Sequence, residues 1–535
     1  MRDQLLLLPG YLLAHLQLCL VALAIGTLVS VPLGVWVAGR RRLEAPVLGV
    51  ASVIQTIPSL ALLAVMVPLL ASLAGVASAL GFQLRSIGPL PAVIALTLYS
   101  MLPILRNTVT GIAAVDPALL EAARGVGMTP WQELWRVELP LALPMIVAGL
   151  RTATVWVVGT ATLSTPIGAT SLGNYIFSGL QTRNNSAVLV GCLAAAGLAL
   201  TLDQLIRVLE VGLRTRRRAW TAGAAIVLLG LYVGTAFSLI AGSAAGRAPV
   251  RIGAKTFTEQ YILAEVLAQQ IQRETGRPTK TLASMGSTVL FDALRQDEID
   301  AYVDYSGTIW ATIMKRHQLP RDRGELLEQV RGYLDSAYGI RLVAALGFEN
   351  TYALAMRNRR AQALGLHTLS QLARVAPGLE IGGDYEFFQR AEWAALVKTY
   401  GFHFREERSM DAALMYQAVA AGEVDVISAY STDGRIASQG LRLLEDDRGV
   451  IPPYDAIVLA GPRLVREEPG VIAALRGLAG AIDARSMRRM NFAVDDAGRA
   501  PAEVARDFLT TRNQPPETAS RASGAGGVSS SSASR

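Results

Sequence analysis

The chain has 535 residues, of which 51% are hydrophobic and 17% are charged. Its net charge of +7 is confined to residues 1–242, which hold fifteen arginines, no lysine and eight acidic residues, while the remainder balances 35 basic against 35 acidic residues. The length excludes a single ordinary domain, and the charge distribution indicates membrane topology and not a nucleic-acid-binding patch.

Uncharged segments long enough to cross a bilayer recur through the first half of the chain. They fall at 4–39, 45–84, 86–105, 152–182, 184–202 and 219–246. We therefore predict an all-α transmembrane half with about six helices. The length of the second segment leaves five or seven helices open.

Arginines cluster in the loops between these segments, and loops rich in arginine stay in the cytoplasm. The clusters are Arg40–Arg42, the loop with Arg124 and Arg136, and residues 207–218. Following the chain from cluster to cluster places the N terminus outside, the loop around Glu121 inside, and everything after residue 247 outside. We expect a multi-pass protein of the cell (inner) membrane whose C-terminal domain is periplasmic or extracellular.

The segment 116–140 contains the most specific motif of the membrane half. Gly127 permits a left-handed turn between two short helices, and Pro140 can start the next helix. The spacing EAA-x3-G-x9-[apolar]-x-L-P resembles the coupling loop of importer-type ABC transporter permeases. The matching residues are Glu121, Ala122, Ala123, Gly127, Leu139 and Pro140. The resemblance implies a permease domain over 1–218 that docks on an ATPase; an ordinary amphipathic loop is the alternative.

Beyond the last predicted membrane helix and a short Gly/Ala/Ser linker (219–249), strand and helix patterns alternate up to residue 511. This pattern predicts an α/β domain with mainly parallel sheets. Strands are expected at 250–254, 299–302, 340–344, 379–381 and 424–428, with a helix at 257–275. The length of 250–511 suits two lobes, one over about 250–353 and 453–511 and the other over about 354–452. The Ser/Gly-rich end, 512–535, is expected to be a disordered tail.

Seven segments of this domain carry a second resemblance. They are GAKTFTEQYILAE (253–265), DYSGT (304–308), NTYALAMR (350–357), YEFFQR (385–390), MDAALMYQA (410–418), DVISAYSTDGRI (425–436) and LEDDRGVIPPYDA (444–456). In this order they resemble the periplasmic binding proteins of quaternary-amine importers, which take up glycine betaine, choline, carnitine and related osmoprotectants. The resemblance implies a two-lobed periplasmic-binding-protein fold.

The candidate ligand-binding residues follow from this resemblance and from the chemistry of the ligand. A quaternary ammonium has no N–H to donate, so aromatic faces bind it best. The positions of the family's aromatic cage are occupied by Tyr305, Tyr352, Tyr430 and Tyr454, each expected at the end of a strand, where α/β ligand sites lie. The resemblance further implies that Arg390 anchors a ligand carboxylate and that Thr308 and Lys255 add polar contacts. The alternatives are core tyrosines, a solvated arginine at a helix start and a surface lysine.

No motif predicts catalysis on this chain. Two cysteines, Cys19 and Cys192, lie in apolar segments, so the soluble half can hold neither a disulfide nor a cysteine–zinc site. The four histidines show no partnering pattern, and the P-loop sequence G-x-x-x-x-G-K-[ST] is missing. We expect no metal or cofactor here, and we expect ATP and Mg to be used by a separate ATPase.

Together, these observations predict the membrane subunit of an ABC importer that captures a quaternary-ammonium compound. Its expected partners are two copies of an ATPase, a second permease copy forming a homodimer, the small ligand and membrane lipid, but no nucleic acid. Ergothioneine is an alternative ligand, because it carries a trimethylated head and a carboxylate and because similar fused proteins are implicated in its uptake. A membrane-anchored ligand sensor would need a cytoplasmic output domain, for which the inside loops are too short. A membrane-anchored enzyme would need a nucleophile–base or metal constellation.

Overall fold

The computed structural model describes residues 2–79, 84–182, 184–244, 248–316 and 323–512. The N-terminal half is all-α. Its helices are α1 (Arg2–Ala38), α2 (Arg41–Thr56), α3 (Ser59–Ala79), α4 (Pro89–Ala113), α5 (Pro117–Gly125), α6 (Pro130–Glu133), α7 (Leu139–Ala161), α8 (Gly173–Gln181), α9 (Asn185–Arg214) and α10 (Arg218–Ala244). A π-helical turn, Leu134–Glu138, joins α6 to α7, and a 3-10 segment, Thr162–Ile167, follows α7.

Among the described residues, five helical stretches are long and apolar enough to cross a membrane, and they contain α1, α4, α7, α9 and α10. Helices α2 and α3 form a further pair that is bent by 98° and makes six spans if it is counted as one. The break falls where Ile57 adopts an extended conformation before Pro58, as residues that precede proline do. The predicted count of about six helices agrees with this arrangement.

Two of the predicted spans were placed wrongly, because Arg151 and Asp203 interrupt the uncharged segments inside the helices. The span expected at 152–182 corresponds to α7, which begins thirteen residues earlier, and the span expected at 184–202 continues to the end of α9. Arg151 lies within α7 and pairs with Asp203 of α9 at 2.6 Å, and Glu210 lies 3.6 Å from the same guanidinium. An unpaired charge costs about 3 kcal/mol at the centre of a membrane helix, but paired charges persist inside helix bundles.

The soluble half is built from strands and helices that alternate along the chain. The strands are β1 (Val250–Lys255), β2 (Thr279–Met285), β3 (Ala301–Tyr305), β4 (Arg341–Glu349), β5 (Tyr352–Arg357), β6 (Glu380–Asp384), β7 (Glu406–Met410), β8 (Val426–Tyr430), β9 (Leu441–Leu444) and β10 (Asp455–Ala460). The helices are α11 (Thr258–Thr275), α12 (Ser287–Arg295), α13 (Ser306–Thr308), α14 (Arg323–Tyr338), α15 (Asn358–Leu364), α16 (Leu369–Val375), α17 (Ala391–Tyr400), α18 (Ala412–Ala421), α19 (Arg435–Ser438), α20 (Pro462–Glu467), α21 (Pro469–Arg476), α22 (Ala484–Asp495) and α23 (Pro501–Arg512).

The described strands form two sheets of five, with the orders β2-β1-β3-β10-β4 and β7-β6-β8-β5-β9. We call the body around the first sheet lobe 1 (250–349 and 455–512) and the body around the second sheet lobe 2 (352–444). The expectation of mainly parallel sheets is wrong, because each sheet has two parallel and two antiparallel ladders. Strands β5 and β10 are the first strands after the chain crosses between lobes. Each of them starts beside the end of an antiparallel neighbour. Strand β5 starts beside the end of β9, and strand β10 starts beside the end of β4.

The predicted apolar face of α11 forms the centre of lobe 1. Ile262, Val266, Leu267 and Ile271 are all buried against the first sheet, and the helix ends at Gly276, whose φ of +67° suits glycine. Helix α10 continues through Ala244, into the segment expected as a linker; residues 245–247 lie outside the described part of the chain. The predicted tail also lies outside it, apart from Arg512.

Candidate functional site

The four predicted cage tyrosines meet where the edges of the two sheets face each other. Tyr305 and Tyr430 end β3 and β8, as predicted, but Tyr352 begins β5 and Tyr454 precedes β10. In the antiparallel ladders, Tyr352 lies opposite Tyr430, and Ala456 lies opposite Tyr305. The starts of β5 and β10 therefore share an edge with the ends of β8 and β3, which brings all four tyrosines to one cleft.

The tyrosine rings line a cavity of roughly 170 Å³ between the lobes. The ring centroid of Tyr352 lies 5.1 Å from that of Tyr430 and 5.9 Å from that of Tyr454. Phe257 stacks on Tyr430 at 5.6 Å and on Tyr305 at 6.2 Å. The sequence reasoning did not select Phe257, although it lies in the first quoted segment. This ring links the tyrosine of lobe 1 to the tyrosines of lobe 2.

Buried carboxylates accept hydrogen bonds from the tyrosine hydroxyls. Tyr305 donates to Glu259 at 2.5 Å, Tyr430 donates to Asp384 at 3.0 Å, and Tyr454 donates to Glu392. These bonds fix the rings at their polar ends and leave the faces as the available binding surface. Burial raises the pKa of each of the four cage tyrosines, which keeps the hydroxyls neutral at physiological pH.

Glu259 connects the two lobes and was not predicted from the sequence. It is 2% exposed and accepts hydrogen bonds from Tyr305 and Asn491 of lobe 1 and from Asn350, which directly follows β4. It also accepts a hydrogen bond from Thr432 of lobe 2. Burial raises the pKa of Glu259, whereas these four hydrogen bonds act to lower it. The carboxylate therefore ties the wall of the cage to both lobes at once.

Asp384 performs a similar function in lobe 2 and was also missed. Its carboxylate accepts the backbone N–H groups of Glu386 and Phe387 at 2.9 and 3.0 Å in addition to the Tyr430 hydroxyl. Burial raises the pKa of Asp384 against these hydrogen bonds. The residue precedes the quoted segment 385–390 by one position, so the sequence signal ended just short of it.

Arg390 lies against the cage between a 3-10 turn and α17. Its guanidinium carbon is 5.1 Å from the ring centroid of Tyr352, and its side chain is 9% exposed, so the alternative of a solvated arginine is wrong. Its terminal nitrogens lie 3.4 Å from Glu386 and 3.5 Å from Glu392. The buried Nε makes no hydrogen bond within the described part of the chain. Arg390 lines the cavity, and its two terminal nitrogens carry four N–H groups but make only these two long contacts among the described residues, so the guanidinium can donate to a group in the cavity.

Lys255 and Thr308 also line the cavity. The Lys255 ammonium pairs with Asp304 at 2.5 Å and lies 5.5 Å from the ring centroid of Tyr305. Because both partners are buried, the alternative of a surface lysine is wrong, and the charge of Lys255 is balanced inside the wall. Thr308 is buried in the short helix that directly follows Tyr305.

The segment 116–140 forms two short helices joined by a turn. Asp116 caps α5 by accepting the N–H of Ala118, and Thr129 and Gln132 form a capping box on α6. Gly127 has a φ of +82°, which confirms the predicted left-handed turn. Among the motif residues, Glu121, Ala122 and Gly127 are exposed, Ala123 is buried, and Leu139 and Pro140 open α7.

The same segment presents large apolar side chains to solvent. Val126 is 76% exposed, Trp131 is 67% exposed and Trp135 is 54% exposed, and the two tryptophan rings pack edge to face at 5.6 Å. In the same segment, Arg124 donates two hydrogen bonds of 2.8 and 3.0 Å to the buried Glu133. An exposed aromatic surface on a rigid turn is typical of a protein-docking site.

Comparisons with known proteins cover both halves of the chain. Residues 30–215 match the family model of the binding-protein-dependent transport system inner membrane component. Residues 248–511 match the model of the substrate binding domain of ABC-type glycine betaine transport system.

The chain is 30% identical to the ergothioneine transport permease/ergothioneine binding protein of Helicobacter pylori (strain G27), over 90% of this chain and 86% of that protein. It is 41% identical to the glycine betaine/carnitine/choline transport system permease protein of Bacillus subtilis (strain 168), over 37% of this chain and 83% of that protein. A crystal structure of a glycine betaine/carnitine/choline ABC transporter aligns with 49% of this chain and 98% of that chain, at 30% identity and a TM-score of 0.43. The chain therefore belongs to the family of ABC-importer permeases that are fused to their own substrate-binding domain.

Proposed function

We propose that this chain is the membrane subunit of an ATP-driven importer whose tyrosine-lined cavity binds a small zwitterion with a quaternary ammonium head. One observation carries this proposal: four tyrosines line a cavity that is also lined by the buried Arg390, whose contacts with its acidic neighbours are long. Each aromatic face that contacts a cation contributes about 0.5–2 kcal/mol. A carboxylate at the other end of the ligand accepts hydrogen bonds from the terminal N–H groups of Arg390.

Acidic side chains in the cavity wall support the same assignment. Asp384, Asp411 and Glu386 line the cavity with the tyrosines, and carboxylates near a bound cation add Coulomb attraction in a partly desolvated site. Asp304 neutralises Lys255 at 2.5 Å, whereas the contacts of Arg390 with its acidic neighbours are longer. We therefore assign ligand anchoring to Arg390 and assign Lys255 to holding the wall beside Tyr305.

Glycine betaine and carnitine carry both the cation and the carboxylate, whereas choline carries the cation alone. The geometry of Arg390 thus favours the zwitterions over choline. Ergothioneine, also a zwitterion, is the second candidate, because a relative that matches both halves of this chain is named for it. Asn350 and Ser287, which also line the cavity, would offer polar partners to its ring.

Transport requires partners on the other side of the membrane. The segment 116–140 joins α4 to α7, and the opposite ends of these helices, at Ile87 and Gly168, lie against lobe 1. We therefore assign this segment to the cytoplasmic side, where Val126, Trp131 and Trp135 dock a separate ATPase that uses ATP and Mg. The binding domain lies outside the cytoplasm. Two ATPase copies and a second copy of this chain complete the importer.

The test is calorimetric titration of the full chain in lipid nanodiscs with glycine betaine, carnitine, choline and ergothioneine. The wild type is compared with Tyr430→Leu, Tyr430→Phe and Arg390→Gln. Tyr430→Leu removes an aromatic face and should weaken binding at least ten-fold, whereas Tyr430→Phe keeps the face and should bind within about three-fold of the wild type. Arg390→Gln should weaken the zwitterions at least ten-fold and leave choline nearly unchanged.

Each outcome bears on a different part of the proposal. If none of the four compounds binds the wild type, the quaternary-ammonium assignment is wrong. If choline binds as tightly as the zwitterions and Arg390→Gln changes neither, the carboxylate anchor is wrong while the cage stands. Equal losses for Tyr430→Leu and Tyr430→Phe would assign the effect to the hydrogen bond with Asp384 and not to the aromatic face.

A further inference from the structure

The C-terminal turn of α8, in the permease, enters the mouth of the ligand cavity. Gln181 lines the same cavity as Tyr305 and Arg390. Its side-chain amide donates to the carboxylate oxygens of Asp411 at 3.4 and 3.5 Å, and its backbone carbonyl oxygen lies 3.4 Å from the Thr258 hydroxyl oxygen. Since Thr258 belongs to lobe 1 and Asp411 precedes α18 of lobe 2, this one permease residue contacts both lobes.

The position of α8 relative to lobe 1 is fixed by close contacts between this lobe and the permease. Glu298 accepts the backbone N–H of Ile87 at 2.6 Å and the hydroxyl of Ser86 at 2.9 Å, just before α4. Beside this contact, Ile87 and Met285 are buried around Gly168, where an added Cβ would lie 2.6 Å from Ile87 and 3.1 Å from Met285. This close packing fixes lobe 1 relative to the permease, so Gln181 lines the cavity in a defined position.

The same turn of α8 separates two cavities. Gln181 borders the ligand cavity, while Ser178 and Thr182 border a second one of roughly 340 Å³ between lobe 1 and the permease. Tyr11, Tyr175 and Tyr261 also line this second cavity. The two cavities are therefore lined by neighbouring residues at the C-terminal end of α8.

We propose that Gln181 is a release residue, which occupies the cavity mouth and engages Asp411 when the binding domain sits on its permease. The inference rests on the proposed function, because Asp411 is one of the carboxylates that attract the cation. An amide that donates to this carboxylate weakens its attraction for the ligand, and the side chain also takes up space at the entrance. Seating on the permease therefore lowers the affinity of the cage.

The first test is independent of the ligand. The full chain carries Gln181→Cys and Asp411→Cys in a Cys192→Ala background, where Cys19 is buried, and it is treated in nanodiscs with a short bifunctional thiol reagent. The reagent replaces the reach of the glutamine side chain, which contacts Asp411 with its terminal amide, so we expect a cross-link between the two positions. The matched control pairs Gln181→Cys with Glu423→Cys, just past the far end of α18 and about 15 Å along the helix from its start, and should not cross-link. If the Asp411 pair fails to cross-link, or if the control cross-links equally, the inference is overturned.

The second test measures affinity with glycine betaine and ergothioneine as probes. Gln181→Ala should bind the probe about three- to ten-fold more tightly than the wild type, the range expected for one hydrogen bond. It should also transport the probe more slowly with the ATPase in proteoliposomes. Gln362→Ala, an exposed glutamine on α15 of lobe 2, is the control and should match the wild type. Unchanged affinity in Gln181→Ala overturns the release role. No binding to the wild type or to any variant is instead a failure of the proposed function.

Discussion

Asp495 should make the stability of lobe 1 depend on pH over the neutral range. This residue ends α22 and accepts the Thr258 hydroxyl at 2.6 Å. Burial raises its pKa to about 7, with Asp433 and Asp496 acting in the same direction and Arg435 acting against them. Because the folded-state pKa lies above the ordinary value of 3.8, the folded domain keeps a proton that the unfolded chain has released. Stability is therefore lost as the pH rises.

The size of the effect follows from the pKa difference. Between pH 3.8 and the folded-state pKa of about 7, the free energy of unfolding falls by about 1.4 kcal/mol per pH unit, and above it the curve flattens. From pH 5 to pH 7 the loss amounts to about 2 kcal/mol, because the slope already halves at the folded-state pKa. Asp495→Asn keeps an acceptor for Thr258 but cannot ionise, so the variant should gain about 3 kcal/mol relative to the wild type between pH 5 and pH 8.

Hydrogen–deuterium exchange of the α11 amides in the full chain measures this free energy as the opening of lobe 1, after correction for intrinsic exchange rates. Asp483→Asn is the matched control at the other end of α22. Asp483 is exposed, and the N–H of Ser486 lowers its pKa, so it stays ionised in both states above pH 5. Its difference from the wild type should not change with pH. A difference for Asp495→Asn that is equally constant from pH 5 to pH 8 would refute the reasoning, because Asp495 would then be ionised throughout.

Three further substitutions test other parts of the structure. Arg151→Leu leaves Asp203 without its arginine partner within the membrane and should lower the yield of monodisperse protein in size-exclusion chromatography. Arg151→Leu with Asp203→Leu should recover that yield, and an equally low yield from both variants would contradict the ion-pair explanation. Trp131→Ala removes an exposed ring from the proposed ATPase-docking surface and should abolish coupled transport while ligand binding stays intact. Unchanged transport would contradict this assignment. Lys255→Met leaves Asp304 buried without its cation and should destabilise the domain by about 3 kcal/mol in thermal unfolding, more than Lys255→Met with Asp304→Leu.

The sequence predicted the fold where local periodicity was strong. The five strands expected from apolar runs all overlap observed strands, and α11 agrees within one residue. Strand β7 was missed because it is an exposed edge strand of sequence EERSM, which has no apolar pattern. The start of α7 was missed for a different reason: Arg151 ended the uncharged segment, and its partner on α9 is 52 residues away in the sequence.

The candidate site shows the same division. The motif segments indicated the tyrosines and Arg390, and the structure brings them to one cavity. The hydroxyl partners Glu259, Asp384 and Glu392 could not be predicted, because each pairs with a tyrosine 46 or 62 residues away. Gln181 was beyond the reach of sequence patterns altogether, since its role depends on how two separately recognisable halves pack together.

The short connection between α10 and β1 limits how far the binding domain can move from the last membrane helix. Helix α10 ends at Ala244 and β1 begins at Val250, so a fully extended chain can separate the two by about 20 Å at most. A domain confined to so small a volume binds its contact surface on the permease at an effective concentration on the order of millimolar or above. Its contacts with the permease can therefore be individually weak, and a soluble copy of the same domain should compete poorly for this surface. The fusion thus replaces diffusional encounter between a free binding protein and the permease with repeated rebinding of a tethered domain.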